Sequence, residues 1–87
     1  MNRSSILEAA HSAVMVDRVQ THGQPEDSFS GIAQMWSILL GCNVTNEQVA
    51  LMLVALKTVR AWGNPAHVDN WVDIAGYAAC GAELAGE

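Results

Sequence analysis

Basic side chains are nearly missing from this chain. Four Lys and Arg stand against nine Asp and Glu in 87 residues, for a formal charge of −5. Binding to bulk DNA or RNA rests on many Lys and Arg contacts to phosphate, and no basic tail or stripe is present to make them. Long nucleic acid is therefore not an expected partner. Cysteine is also scarce. Cys42 and Cys80 have no metal-ligand spacing and frame no disulfide scaffold, which fits a reducing cytoplasm. No apolar run exceeds eight residues, against the roughly 20 needed to span a bilayer. The opening stretch from Met1 to Glu8 lacks the apolar core of a signal peptide. Walker-type and Rossmann glycine motifs are absent, as are strand-period alternation, internal repeats and low-complexity segments.

Apolar side chains are plentiful, at 51% of the residues. A chain of this size buries only about 60–65% of its unfolded surface, so a monomer would be marginal. The expectation is one helical domain over residues 1–87: an all-α, compact bundle of about four helices, completed by homo-oligomerisation. Ser5 and Glu8 have capping-box spacing, and the apolar positions Ile6, Ala9, Ala10, Ala13 and Val14 carry a first helix to about Val19. A loop around Gly23 follows. Pro25 suits the first turn of a second helix, with Glu26 and Asp27 favoured there by the helix dipole, and Gly41 ends it. Thr45 and Gln48 form a second capping box. The third helix runs from there to about Trp62. Eight consecutive apolar residues, Val49 to Leu56, cover all its faces, so it should be surrounded. Asp69 or Asn70 can cap the fourth helix. Its small-residue stretch, Ala75 to Ala82, suggests a close helix–helix approach, because two interior glycines each cost about 1 kcal/mol.

Two of the four cations, Lys57 and Arg60, sit at the end of the apolar run, three residues apart and so on neighbouring positions of one helix face. Asp69 and Asp73 follow at helical spacing. An unpaired ion beside so much apolar surface costs several kcal/mol. Either the carboxylates answer it or an external anion does. In the first reading Lys57 and Arg60 complement a helix C-terminus and pair with Asp69 or Asp73. In the second they grip phosphate oxygens, Arg as a fork and Lys as a point charge. Asp69 and Asp73 would then orient the cations or hold Mg²⁺, for which one or two carboxylates plus substrate phosphates suffice. Arg18 and His22 are candidates for the pocket mouth, against the plainer reading of a solvated helix end and loop. Trp71 and Tyr77, beside the charged residues, are candidates for stacking on a nucleobase. Trp36 lies on an apolar stripe and reads as core.

Several stretches together carry a resemblance. They are Asp17-Arg18, His22-Gly23 through Pro25-Glu26, Ile32-Ala33 with Trp36, Val49 to Met52, Leu56-Lys57 with Arg60, and Asp69-Asn70 with Val72-Asp73-Ile74-Ala75-Gly76-Tyr77. Over nearly its full length the chain resembles a family of small phage and prophage proteins known as a domain of unknown function. That family in turn resembles, more distantly, the all-α nucleotide pyrophosphohydrolases of the MazG type and phage domains associated with nucleotide modification. The resemblance implies a helical fold, self-association, a location in the cytoplasm of a bacterial host and a pocket for nucleotide phosphates. MazG-type enzymes hold Mg²⁺ through a Glu-Glu-x-x-Glu motif and a Glu-x-x-Asp motif. This chain has Glu26-Asp27 with Ser30 in the third place, and Asp69 with Asp73 later.

The first expectation is therefore a phage-type protein that binds a nucleotide or cyclic nucleotide through Arg18, His22, Lys57, Arg60, Asp69, Asn70, Trp71, Asp73 and Tyr77. By analogy, it would sequester a nucleotide second messenger of bacterial anti-phage defence. The alternative is a Mg²⁺-dependent MazG-like pyrophosphohydrolase using Asp69 and Asp73, with Glu26 or Glu47. The third reading is an interaction module in which the charged cluster is only a structural salt bridge.

Overall fold

The computed structural model describes residues 1–86, except for the side chain of Arg18. Asn2 caps the first helix, α1 (Arg3–Ser12): its side chain accepts from the Ser5 amide at 2.8 Å, and Ser5 Oγ accepts from the Asn2 amide at 3.0 Å. This capping box lies one turn before the Ser5/Glu8 pair suggested by the sequence. Asparagine caps as well as serine does, and Ser5 itself returns the reciprocal bond. The rod continues through a π-helical turn, Ala13–Asp17, into α2 (Arg18–His22). The helix thus outlasts Val19 by three residues. Gln20, Thr21 and His22 are polar but exposed, a position a helix tolerates, and Thr21 Oγ1 donates to the Asp17 carbonyl at 2.9 Å. Gly23, at φ 81°, makes the turn.

Pro25 opens α3 (Pro25–Leu40), with Glu26 and Asp27 in its first turn, and Gly41 ends it in the left-handed conformation. Ser37 pins the following turn by donating to the Ala33 carbonyl at 2.7 Å and accepting from the Val44 amide at 2.9 Å. The Thr45/Gln48 capping box opens α4 (Asn46–Gly63). The last helix, α5 (Val68–Ala85), begins after His67 rather than at Asp69 or Asn70. The Asn64 carbonyl accepts from the His67 amide at 3.1 Å, and this turn starts the helix early and draws Asn70 into its buried first turns.

These segments form four rods. The most extensive pairing is α4 against α5, and α1 and α3 pack beside it. The glycines of α5 explain the closeness. A Cβ on Gly81 would stand 2.9 Å from Ala50 Cβ, and one on Gly76 would stand 2.9 Å from Val14 Cγ1. The core gathers Phe29, Ala33, Val44, Val49, Ala50, Cys80 and Leu84, with Val14, Ile32, Trp36, Leu53 and Tyr77 against it. Trp36 is thus a core side chain. The α4 helix, however, is not surrounded within one chain: Leu51, Met52, Leu56 and Val59 are all exposed. Two layers of helix leave its outer face to solvent. No helix among the described residues is long and apolar enough to cross a membrane.

Candidate functional site

Lys57 lies in the penultimate turn of α4, on the side turned to α5. Asp73 lies on α5 opposite it. Their side chains meet at 2.9 Å (Nζ to Oδ2) and are only 16% and 21% exposed. The cost of the cation is therefore answered from inside, and by Asp73 rather than Asp69. An ammonium carries three N–H donors. Asp73 is the one partner that Lys57 has among the described residues, which leaves two donors for a further acceptor.

The other candidates divide around this pair. Arg60 follows Lys57 by one helical turn but is exposed and makes no ion pair with a described residue; its carbonyl accepts the Asn64 amide that closes the helix. Asp69 is 82% exposed and stands 4.0 Å from His67 Nε2. Asn70 is buried at 5% exposure, and its amide side chain forms no hydrogen bond with a described residue. Tyr77 follows Asp73 by four residues, hence along the same face of α5. It packs against Phe29, with ring centroids 6.4 Å apart. His22 comes to the same place: with Gly23, Pro25, Ser28, Phe29, Tyr77 and Cys80 it lines a cavity of about 40 Å³. The backbone of Arg18 opens α2 one turn before His22, and its side chain lies outside the described residues.

Trp71 stands apart. Two residues from Asp73, it points to the other side of α5. Its indole N–H donates to the Pro65 carbonyl at 2.9 Å, and with Thr58, Ala61, Trp62, Pro65 and Ile74 it lines an open groove of about 540 Å³. The structure thus brings Lys57 to Asp73, sets Tyr77 and His22 beside one cavity, and places Trp71 in a separate groove. Sequence reasoning did not find the cavity partners Ser28, Pro25 and Cys80, which carry no chemical signature. Nor did it pair Trp62 with Trp71. Among the described residues no three His, Cys, Asp or Glu side chains converge as a metal set. Asp73 meets the Lys57 ammonium, and Asp69 stands one turn earlier beside the His67 ring.

Residues 5–85 match the family described as a domain of unknown function, DUF6378. The chain belongs to this family. It is 34% identical over 76 residues to the gene 55 protein of Mycobacterium phage D29, covering 87% of this chain and 50% of that protein. It is 39% identical over 75 residues to the gene 55 protein of Mycobacterium phage L5, covering 85% of this chain and 48% of that protein. The chain thus spans about half the length of these curated phage relatives. No solved structure matches it.

Proposed function

We propose that this protein binds the phosphate groups of a nucleotide or cyclic nucleotide at the cluster centred on Lys57, and does so without hydrolysing them. One observation carries the reading: a mostly buried ammonium, in a chain with four cations, is held by a single carboxylate among the described residues. Replacing such a pair with apolar side chains is often neutral or stabilising, so stability alone is a weak reason to keep it. A phosphate oxygen would accept from the remaining ammonium N–H groups, and charge-assisted bonds of this kind contribute about 1.5–3 kcal/mol each. Arg60, one turn on and exposed, adds a fork for a second phosphate. Asp73 holds Lys57 in place. Asn70 and Tyr77 supply neutral polar groups on the same helix.

The cavity beside Tyr77, at about 40 Å³, is far below the roughly 300 Å³ of a small-molecule pocket. The ligand therefore meets the cluster from outside, phosphates first. The reading includes a distant likeness to MazG-type proteins, self-association, and action in the cytoplasm of the bacterial host. There the protein would sequester a nucleotide second messenger. Among the described residues no three carboxylate, His or Cys side chains converge, and no step is routed through a metal.

The test is a thermal-shift screen with nucleoside triphosphates and cyclic dinucleotides, with and without Mg²⁺. Bound ligand is then released by heat and checked for integrity. A raised Tm with intact ligand recovered supports the proposal. Release of pyrophosphate would replace it with the pyrophosphohydrolase. No shift with any nucleotide would leave the ion pair a structural contact.

A further inference from the structure

The exposed face of α4 is built to receive another helix. Going round the helix at 100° per residue, Leu51, Met52, Ala55, Val59 and Trp62 fall within about a third of a turn, a stripe whose two ends, Leu51 and Trp62, also border grooves against α5. All five are exposed, Val59 at 74% and Trp62 at 89%. No charged side chain interrupts them; Lys57 and Arg60 project from other sides. The neighbouring hydroxyl of Thr58 is already spent on the Val54 carbonyl at 2.8 Å.

We infer that this face is the contact between two copies of the chain, which pack α4 against α4 in antiparallel fashion about a two-fold axis near Ala55. The inference gives the self-association proposed above a surface. Three observations choose a second copy over another occupant. First, the chain exposes 5749 Å², whereas a folded monomer of its mass exposes roughly 5,000 Å². The excess, roughly 700 Å², is close to the 800 Å² or so that each partner gives to a standard interface. Second, the face is self-complementary. Its smallest side chain, Ala55, sits at the middle with larger ones a turn to either side, so a two-fold there lays Leu51 over Val59 of the other copy and Met52 beside its Thr58, with the Trp62 ring reaching past them over the uncharged Gln48. Third, each chain carries a charge of −5, but none of it on this face, so two copies meet here without like charges in contact.

Sedimentation equilibrium of the full chain at 100 µM without nucleotide tests this. The expected mass is twice 9.3 kDa. Ala55→Arg keeps good helix propensity but sets two cations against each other at the axis. It should weaken association at least 100-fold, to a monomer with unchanged helical circular dichroism, whereas Leu39→Arg on α3 should not. In a Cys42→Ser background, Ala55→Cys should cross-link to itself under mild oxidation. A wild-type monomer at 100 µM would overturn the inference, and a further segment such as the longer relatives carry would then be the better occupant. A wild-type dimer that survives Ala55→Arg would retain self-association but overturn this face. Neither result bears on nucleotide binding, which is read separately.

Discussion

Glycine-to-alanine changes at two helical sites should act in opposite directions. Gly31 in α3 has open space where a Cβ would go. Alanine there gains up to about 1 kcal/mol of helix propensity and loses nothing. Gly81 in α5 gains the same propensity but meets Ala50 Cβ at 2.9 Å. Carbon atoms pack best at about 3.5–4.0 Å, so the helices must part by roughly 0.6–1.1 Å. Ala50 is 1% exposed and has no rotamer with which to yield. A gap of that size forfeits roughly a quarter to a half of the attraction at each neighbouring contact, and overpacking of this kind costs about 1–3 kcal/mol. Gly81→Ala should therefore be destabilised by about 1 kcal/mol net, and Gly31→Ala stabilised by about as much. In a domain this small, 1 kcal/mol moves Tm by about 4–8 °C, so the two variants should melt roughly 8–16 °C apart. Thermal melts by circular dichroism at one protein concentration read this directly. If Gly81→Ala melts as high as Gly31→Ala, close approach of α4 and α5 is not what that glycine serves.

The ion pair yields a second contrast. Lys57→Met takes the ammonium away from the mostly buried Asp73 carboxylate and should cost about 1–3 kcal/mol in urea melts, more than Arg60→Ala, whose side chain is exposed. Thr45→Ala removes the cap that accepts the Gln48 amide and should cost about 1 kcal/mol, visible as a lower urea midpoint at unchanged slope. Gly76→Ala meets a Val14 methyl rather than a backbone-fixed carbon, so it should lower Tm less than Gly81→Ala.

Helix positions were legible where the residues carry a local mechanism. Gly23 and Gly41 take positive φ, Pro25 opens α3, and the Thr45/Gln48 box opens α4. The starts of α1 and α5 were less so, because Asn2 and His67 compete with equally eligible neighbours and the choice depends on the flanking turn. The π-helical turn at Ala13–Asp17 has no sequence signature. The site was half legible. Scarcity of charge singled out Lys57, and helical spacing offered Asp69 and Asp73 alike. Which carboxylate meets it depends on the register of α5 against α4, a tertiary matter that helical spacing alone does not decide. Adjacency in sequence placed Trp71 beside the cluster, but helical geometry turns it to the opposite side of α5.

The central claim is that the Lys57 cluster holds a phosphate, and Arg60 is its cleanest probe. It is exposed and unpaired among the described residues, so Arg60→Ala should change stability by no more than about 0.5 kcal/mol. The measurement is the nucleotide-induced rise in Tm of wild type and Arg60→Ala, side by side. At ligand concentrations near 100 times Kd, wild type should gain about 2.7 kcal/mol, and Arg60→Ala should lose at least half of that gain. Equal shifts in the two proteins, or none in either, would contradict the account.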